Sequence, residues 1–412
     1  MDNTKLVRWP KLVTGFIALL FAGIIYAWSI TKTPFMLLGD GGLDNSAQLG
    51  LNYTFSIIFF CIGGFCSGLI SKQTTPRLRL VLCALLIFSS FFTSSLQIVT
   101  LPFTRNYFLL YMAYSMLGGL GIGMAYVTLI STVNMWYPDK RGFASGIMMM
   151  GFGVSLLIIG SIVDVMGKSE AIGWRSTYVI ISIALGVVFL IAAIVVKPPP
   201  RGTVFPESKP VGEDDPDSVV RDFTALDMIK RPSFYLIFIY IMILAMSGSA
   251  AISFAKDIIL DVGAAESIAV VAVGGLGLFN GLGRLASGWL FDKLGIKQTQ
   301  LISSAAAILA PLTVVMAITA NSLILGIAGL CLCGFSYGFA PTTCSVFAAK
   351  FYGLRNFSLN FSIISLILLP AAFAATIAGS IKTATGGFMP AFIVLTALTA
   401  IGFFVNLAIR KP

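Results

Sequence analysis

Residues 267–290, SIAVVAVGGLGLFNGLGRLASGWL, form an apolar, glycine-rich stretch with a single charged residue, Arg284. At about 1.5 Å of rise per residue, this stretch is long enough to cross the hydrocarbon core of a bilayer as one α-helix. A charge at mid-membrane costs from about 3 to more than 10 kcal/mol, so it is retained where water, a protein group or an anion meets it. Since no apolar stretch contains an acidic residue, a soluble anion is the predicted partner of Arg284.

The rest of the chain repeats the pattern of long apolar stretches. Of its 412 residues, 57% are hydrophobic and only 11% are charged, and the mean hydropathy is +0.94. A soluble protein could not bury so much apolar surface, so the composition indicates an all-α membrane protein. We predict twelve transmembrane helices, called segments 1 to 12, at residues 12–31, 49–70, 80–99, 107–131, 143–163, 176–196, 233–254, 267–290, 299–319, 323–348, 357–381 and 388–408.

The basic residues between these segments are unevenly distributed. If both termini face the cytoplasm, 20 lysines and arginines lie on the cytoplasmic side and 6 on the other, while the acidic residues divide 10 to 7. This bias follows the positive-inside rule and accounts for the net charge of +10 without a nucleic-acid partner. We therefore predict a multi-pass protein of the plasma or inner membrane with both termini in the cytoplasm.

The longest polar stretch divides the segments into two groups of six. We predict an N-terminal six-helix bundle at 1–196, a cytoplasmic linker at 197–232 and a C-terminal six-helix bundle at 233–412. The linker opens with three prolines and contains an acidic cluster without apolar periodicity, which is typical of a flexible connection. It acts either as a tether alone or as a regulatory element, such as the sensing part of a transceptor.

Two loops recur six segments apart. Trp136-Tyr137-Pro-Asp139-Lys-Arg141-Gly-Phe143 leads into segment 5, and Phe351-Tyr352-Gly-Leu-Arg355-Asn-Phe357 leads into segment 11. Likewise Gly68-x-x-x-Lys72-x-x-Thr75-x-Arg77 follows segment 2, and Gly288-x-x-x-Asp292-Lys293-x-Gly295-x-Lys297 follows segment 8. Repeats at corresponding positions are typical of transporters built from two similar bundles around a central site, which indicates alternating access.

These features together resemble a known group of proteins. The 6+6 arrangement and the G-x-x-x-D-[KR]-x-G-x-[KR] loop resemble the major facilitator superfamily. The stretch 134–146, NMWYPDKRGFASG, and the pattern Asn280-x-x-x-Arg284-x-x-x-Gly288 resemble the oxalate/formate antiporter family and the related monocarboxylate transporters. The resemblance implies a major facilitator fold and a conformational role for the loop residues Arg77, Asp139, Arg141, Asp292, Lys293 and Arg355.

The first loop copy departs from this pattern. Lys72 stands where the pattern has aspartate, and Thr75 stands where it has glycine. We therefore expect Asp292 to form an interhelical latch with neighbouring basic residues that the N-terminal half cannot reproduce.

The candidate substrate site centres on segment 8. Asn280 and Arg284 lie one turn apart on one face, and a guanidinium can pair with a carboxylate through two parallel hydrogen bonds. The resemblance implies that segments 1, 4, 7 and 10 line a cavity, which makes Tyr26, Tyr126 and Tyr337 candidate substrate-binding residues. Helix packing or interfacial anchoring is the alternative role for these tyrosines.

The number of fixed charges favours one class of substrate. Dicarboxylate exchangers of the family pair the arginine with a lysine on helix 11, and the matching position here is Ile364. One cation suits one carboxylate, so we predict a small monocarboxylate such as lactate, pyruvate or formate. An oxalate:formate-type exchanger is the alternative.

The coupling mode is left open between anion exchange and proton symport. Animal monocarboxylate transporters have an aspartate one turn before the arginine, and Asn280 occupies the matching position here. Asp261, at the predicted outer mouth, is therefore the candidate proton acceptor.

Catalysis is not expected. A membrane enzyme would need a nucleophile–base pair or a metal cluster at membrane depth, but the chain has no histidine and no acidic residue in its apolar segments. We predict no catalytic residues, no metal and no cofactor. The expected partners are a small organic anion, a co-transported proton in the symport case, and the lipid bilayer around a monomer.

Overall fold

A computed structural model of the protein describes residues 3–36, 46–104, 107–200, 203, 205 and 222–411. The regular structure in these ranges is helical throughout, without a strand. Eleven of the helices described there are long and apolar enough to cross a membrane, and one of them, Ser267–Thr319, is long enough for two spans. The predicted all-α class with twelve transmembrane helices is confirmed.

We number these helices α1 to α12 in chain order. Their bounds are α1 Asn3–Ala22, continued by Gly23–Ala27, Trp28–Thr31 and Thr33–Met36; α2 Ser46–Leu69; α3 Pro76–Thr104; α4 Tyr107–Leu110, Tyr111–Gly118 and Gly119–Asn134; α5 Arg141–Ser155, Leu156–Gly160 and Ser161–Lys168; α6 Gly173–Val195; α7 Pro232–Asp261; α8 and α9 the two parts of Glu266–Thr319; α10 Leu323–Lys350; α11 Phe357–Ser365 and Leu368–Thr385; and α12 Met389–Ala408. A short helix, Ala225–Ile229, precedes α7.

The division between α8 and α9 is a single residue. Gly295 has φ 80° and ψ −176°, a conformation that L side chains rarely adopt, so glycine is required there. The loop predicted between segments 8 and 9 is therefore a sharp break in an otherwise continuous run of helical residues.

Several spans depart from regular α-helix in ways that the apolar pattern did not predict. Gly23–Ala27 of α1 is a 3₁₀ turn, whereas Tyr111–Gly118 of α4 and Leu156–Gly160 of α5 are π-helical. α7 is kinked at Phe254, and α11 is interrupted between Ser365 and Leu368. Such irregular turns free backbone groups and are frequent near functional sites.

The chain groups into two compact units. The first unit comprises residues 1–138 and 155–205, and the second comprises 139–154 and 206–412. The first half of α5 therefore packs with the second unit. The domain boundaries proposed from the sequence, 1–196, 197–232 and 233–412, remain a prediction.

Each unit has its own core. In the first unit the ring of Tyr114 packs against Trp28 and Phe91, with centroids 4.5 and 5.4 Å apart. The Tyr178 hydroxyl donates a hydrogen bond to the Thr31 carbonyl at 2.7 Å. In the second unit, small and branched apolar side chains from α7 to α12 form a continuous buried cluster that includes Ile258, Ile259, Val314, Leu330 and Phe392. These cores hold the helices that carry the candidate site.

Candidate functional site

Arg284 is buried in the second unit, with only 1% of its surface exposed. Its Nε donates a hydrogen bond to Asn280 Oδ1 at 3.2 Å, and its Nη1 donates to the backbone carbonyl of Met149 at 3.0 Å. Among the described residues, none is hydrogen-bonded to its Nη2. The guanidinium carbon also lies 5.8 Å from the centroid of the Phe152 ring. The guanidinium is thus oriented by two bonds and retains unused donors.

No described residue neutralises the charge of Arg284 through an ion pair. Its partners are a side-chain amide and a backbone carbonyl, and no carboxylate among the described residues pairs with it. A buried cation without an acidic partner carries a large desolvation cost, which a bound anion would offset. The side chain is therefore suited chemically to bind an anion.

Close backbone packing lets α8 carry this side chain at the centre of the unit. A Cβ atom on Gly338 of α10 would lie 2.5 Å from the Asn280 carbonyl oxygen and 2.7 Å from the Arg284 nitrogen. A Cβ atom on Gly146 of α5 would lie 2.7 Å from the Arg284 carbonyl oxygen. All three distances are shorter than real Cβ contacts, so only glycine permits this approach of α5 and α10 to α8.

Two hydroxyls fix the backbone at Arg284. Ser287 Oγ and Thr342 Oγ1 both donate to the Arg284 carbonyl, at 3.0 and 3.3 Å. Ser287, which shares the Asn280–Arg284 face in the sequence, therefore bonds to its own helix.

Sequence reasoning missed three residues at the site, Met149, Phe152 and Thr342. Met149 acts through a backbone carbonyl, so no side-chain pattern could have identified it. Phe152 and Thr342 are ordinary residues of apolar helices, and only tertiary packing brings them to α8.

Of the three candidate tyrosines, Tyr26 and Tyr126 lie in the first unit and Tyr337 lies in the second. Tyr337 lies on α10 in the second unit, 7% exposed, next to Gly338, and its side chain packs against Gly248 of α7. Tyr126 is buried on α4 in the first unit, with its ring 5.4 Å from that of Phe60. Tyr26 lies in the 3₁₀ turn of α1 and is half-buried. Arg284 and Asn280 are in direct contact, Tyr337 shares their unit, and a substrate-binding role for the tyrosines remains a prediction.

Asp292 has backbone partners in addition to the basic side chains that were expected. Its carboxylate oxygens accept hydrogen bonds from the backbone N–H groups of Gly142 at 3.1 Å and Phe143 at 2.7 Å, in the first turn of α5. Arg141 and Lys350 interact with it electrostatically. Free N–H groups and the helix dipole favour a negative charge at this position. Asp292 therefore caps the start of α5 as well as interacting with basic side chains, and its role as a latch remains a prediction.

The remaining loop residues lie at helix ends. Arg77 is exposed in the first turn of α3, and Asp139, beside Arg141, is half-buried just before α5. Lys293 lies 4.5 Å from the centroid of the Trp289 ring. The backbone N–H of Arg355 donates to Asp222 Oδ1 at 3.1 Å. Their conformational role remains a prediction.

Asp261 and Ile364 lie in contrasting environments. α7 continues past the Phe254 kink, so Asp261 is the last residue of this helix, and it is exposed. Its role as a proton acceptor remains a prediction. Ile364, the position at which dicarboxylate exchangers carry a lysine, is completely buried on α11. Among the described residues no group of histidine, cysteine, aspartate or glutamate is arranged to hold a metal ion.

Comparison with curated proteins gives distant relatives across most of the chain. The oxalate:formate antiporter of Oxalobacter formigenes is 24% identical over 355 residues, which cover 85% of this chain and 80% of the antiporter. The uncharacterized MFS-type transporter YhjX of Escherichia coli K12 is 23% identical, covering 89% of this chain and 86% of that protein. Monocarboxylate transporter 12 of Rattus norvegicus is 22% identical, covering 69% and 63%.

Solved structures show the same fold at lower identity. The proton:xylose symporter XylE superposes with a TM-score of 0.76 at 14% identity, over 99% of this chain and 97% of that structure. A variant of the fucose:proton symporter FucP of E. coli gives a TM-score of 0.69 at 13% identity, over 98% and 99%. The family model of the Major Facilitator Superfamily matches residues 16–373. The chain thus belongs to the Major Facilitator Superfamily, and it is a membrane transporter rather than an enzyme.

Proposed function

We propose that this transporter carries small monocarboxylates by alternating access, with Arg284 as the residue that binds the carboxylate. One observation carries the proposal: a buried guanidinium whose Nη2 has no partner and which pairs with no carboxylate of the described residues. Burial strengthens a guanidinium–carboxylate bond, because water no longer competes for the donors.

The existing bonds orient the arginine without saturating it. A guanidinium has five N–H donors, and hydrogen bonds at Arg284 engage Nε and one donor of Nη1. Donors therefore remain on Nη1 and Nη2, the two nitrogens whose planar arrangement matches a carboxylate. Asn280 acts as a positioning residue that fixes Nε, while the outer nitrogens bind the substrate.

The charge balance favours a monoanion. Ile364 leaves α11 without a second cation at the matching position, and its apolar side chain is completely buried. A second, uncompensated negative charge about 4 Å from another would cost about 4 kcal/mol at an effective dielectric near 20. A lactate-, pyruvate- or formate-like acid avoids this cost.

Exchange of oxalate for formate is the second candidate. It is favoured by the similarity to the oxalate:formate antiporter, which covers 85% of this chain, although the identity is only 24%. It requires Arg284 to bind a dianion without help from position 364.

Substrate binding would also control the conformational change. An empty site leaves Arg284 buried without an anionic partner, so closing around it is costly, whereas a bound carboxylate removes that cost. In the anion-exchange mode, a second anion occupies the site when the carrier returns. In symport, a proton enters with the acid, and the exposed Asp261 at the end of α7 is the candidate acceptor.

Transport in reconstituted liposomes tests the proposal. Vesicles containing the purified protein are loaded with unlabelled lactate, formate or oxalate, and entry of each labelled acid is followed with and without a pH gradient. We expect lactate or formate to enter faster than oxalate. Stimulation by internal anion indicates exchange, and stimulation by an inward proton gradient indicates symport.

A pair of matched arginine variants isolates the site. Arg284→Lys keeps the charge but removes the planar fork, so we expect it to lose most of the transport. Arg175→Lys makes the same change at an exposed residue of α6 and should transport as the wild type does. Full activity of Arg284→Lys, or entry of none of the acids above protein-free vesicles, would overturn the proposal.

A further inference from the structure

The beginning of the linker is bound to the first unit. Trp136 Nε1 donates a hydrogen bond to the Lys197 carbonyl at 2.6 Å, and the Phe205 ring meets the same indole edge-on, with centroids 6.3 Å apart. The guanidinium carbon of Arg8, near the start of α1, lies 4.3 Å from the centroid of the Tyr137 ring and 5.9 Å from that of Phe205. Phe205 thus contacts both Arg8 and Trp136, the first residue of the aromatic pair in the loop before α5.

The end of the linker is bound to the second unit by the same kinds of groups. The buried Phe223 ring meets Tyr352 edge-on, with centroids 5.9 Å apart. The guanidinium carbon of Arg231, immediately before α7, lies 5.4 Å from the centroid of Phe223. Tyr352 is the second residue of the aromatic pair in the loop before α11, and its hydroxyl is hydrogen-bonded to Ser233 at 3.0 Å.

The backbone of the linker is also bound at this end. The N–H of Phe223 donates to the Tyr352 carbonyl at 3.0 Å, and the Phe223 carbonyl accepts from Asn356 Nδ2 at 2.8 Å and Asn360 Nδ2 at 3.1 Å. The Asp222 carboxylate accepts from two successive backbone N–H groups of the same loop, at 2.9 and 3.1 Å. A flexible spacer needs only length, whereas these residues have the satisfied backbone groups of a folded element.

The two attachments involve the same kinds of groups. In each unit a linker phenylalanine contacts an arginine at the start of the first helix of that half, Arg8 for α1 and Arg231 for α7. It also contacts one residue of the aromatic pair in the repeated loop that follows the fourth helix of that half, Trp136 in the first unit and Tyr352 in the second. A phenylalanine, an arginine and a loop aromatic residue thus meet in each unit, which indicates that the attachment is a built feature of each bundle.

We propose that the aromatic pairs Trp136–Tyr137 and Phe351–Tyr352 are docking sites for the linker phenylalanines Phe205 and Phe223. The linker is then attached through Phe205 and Phe223, rather than acting as a plain tether over the whole of 197–232. The docked ends hold the loops that lead into α5 and α11, so their release loosens the starts of those helices and slows transport without touching Arg284. The transport part of this proposal rests on the proposed function, whereas the docking itself does not.

Hydrogen exchange of the full-length protein in nanodiscs, with uptake of labelled lactate measured in parallel, tests the docking. Phe223→Ala should raise amide exchange across residues 352–360 on the order of tenfold and lower uptake several-fold, because the ring and its contacts are lost. Asp222→Ala, which removes no buried side chain, should raise exchange at Leu354 and Arg355 alone. Leu226→Ala, a control at a residue 71% exposed in the neighbouring short helix, should change neither measurement.

Replacement of residues 207–220 by a glycine–serine sequence of equal length separates docking from tethering. We expect wild-type exchange at both loops and wild-type uptake, because both phenylalanines remain. Unchanged exchange in Phe223→Ala, or increased loop exchange in the glycine–serine variant, would overturn the proposal. If the protein transported no lactate, the exchange results would still decide the docking, so the two proposals fail separately.

Discussion

The glycine contacts around Arg284 make a quantitative prediction for Gly338→Ala. The new Cβ atom would lie 2.5 Å from the Asn280 carbonyl oxygen and 2.7 Å from the Arg284 nitrogen, both backbone atoms. Ordinary contact begins at 3.4 Å, so α10 and α8 must separate by about 0.9 Å. Overpacking of this kind costs about 1–3 kcal/mol, and a displacement near 1 Å at a binding site can lower activity by about 100-fold.

Gly277→Ala provides the matched control on α8. A Cβ atom at this position meets nothing within 4 Å, so the substitution adds only the better helix propensity of alanine, about 0.5–1 kcal/mol. Thermal unfolding in detergent and lactate uptake in liposomes are measured for both variants. We expect Gly338→Ala to unfold several degrees lower than the wild type and to lose uptake, while Gly277→Ala retains both. Equal behaviour of the two variants would refute the packing described for α8 and α10.

Three further predictions concern the cap, the charge balance and the positioning amide. Asp292→Asn retains an acceptor for the α5 N–H groups but loses the charge, so its unfolding midpoint should fall between those of the wild type and Asp292→Ala. The alanine variant should lose about 0.5–2 kcal/mol of unfolding free energy. Identical midpoints for all three proteins would contradict the cap. Ile364→Lys should shift uptake toward oxalate relative to lactate, whereas Ile364→Met should not; unchanged selectivity in the lysine variant would count against charge matching. Asn280→Ala removes a hydrogen bond to a charged group, which is worth about 1.5–3 kcal/mol, so the KM for lactate should rise about tenfold or more. A KM equal to that of the wild type would exclude the positioning role.

Periodicity and charge were sufficient to predict the parts of the structure that depend on local sequence. The twelve spans follow from the lengths of the apolar stretches, and the contact between Asn280 and Arg284 follows from their spacing of one helical turn. The solitary position of Arg284 in segment 8 predicted a buried cation, which the structure shows with 1% exposure.

The parts that depend on backbone atoms could not be predicted in this way. Arg284 is bound by the backbone carbonyl of Met149, and Asp292 is bound by backbone N–H groups of α5. Nearly every residue type has these backbone groups, so no side-chain pattern indicates them. The loop between segments 8 and 9 is reduced to Gly295, because a glycine with positive φ can redirect a helix at one residue. The contacts of the linker ends depend on two isolated phenylalanines, which no local pattern distinguishes from the rest of a polar stretch.

Equilibrium binding of lactate and of lactamide, its uncharged amide analogue, tests the role of Arg284 most directly. Both ligands are titrated calorimetrically into the wild-type protein and into Arg284→Lys. We predict that the wild type binds lactate about 10- to 100-fold more tightly than lactamide, which is the factor expected for a charge-assisted hydrogen bond. Arg284→Lys should lose this preference. Equal affinities for the two ligands in the wild type, or an undiminished preference in Arg284→Lys, would contradict the assignment of Arg284 as the carboxylate-binding residue.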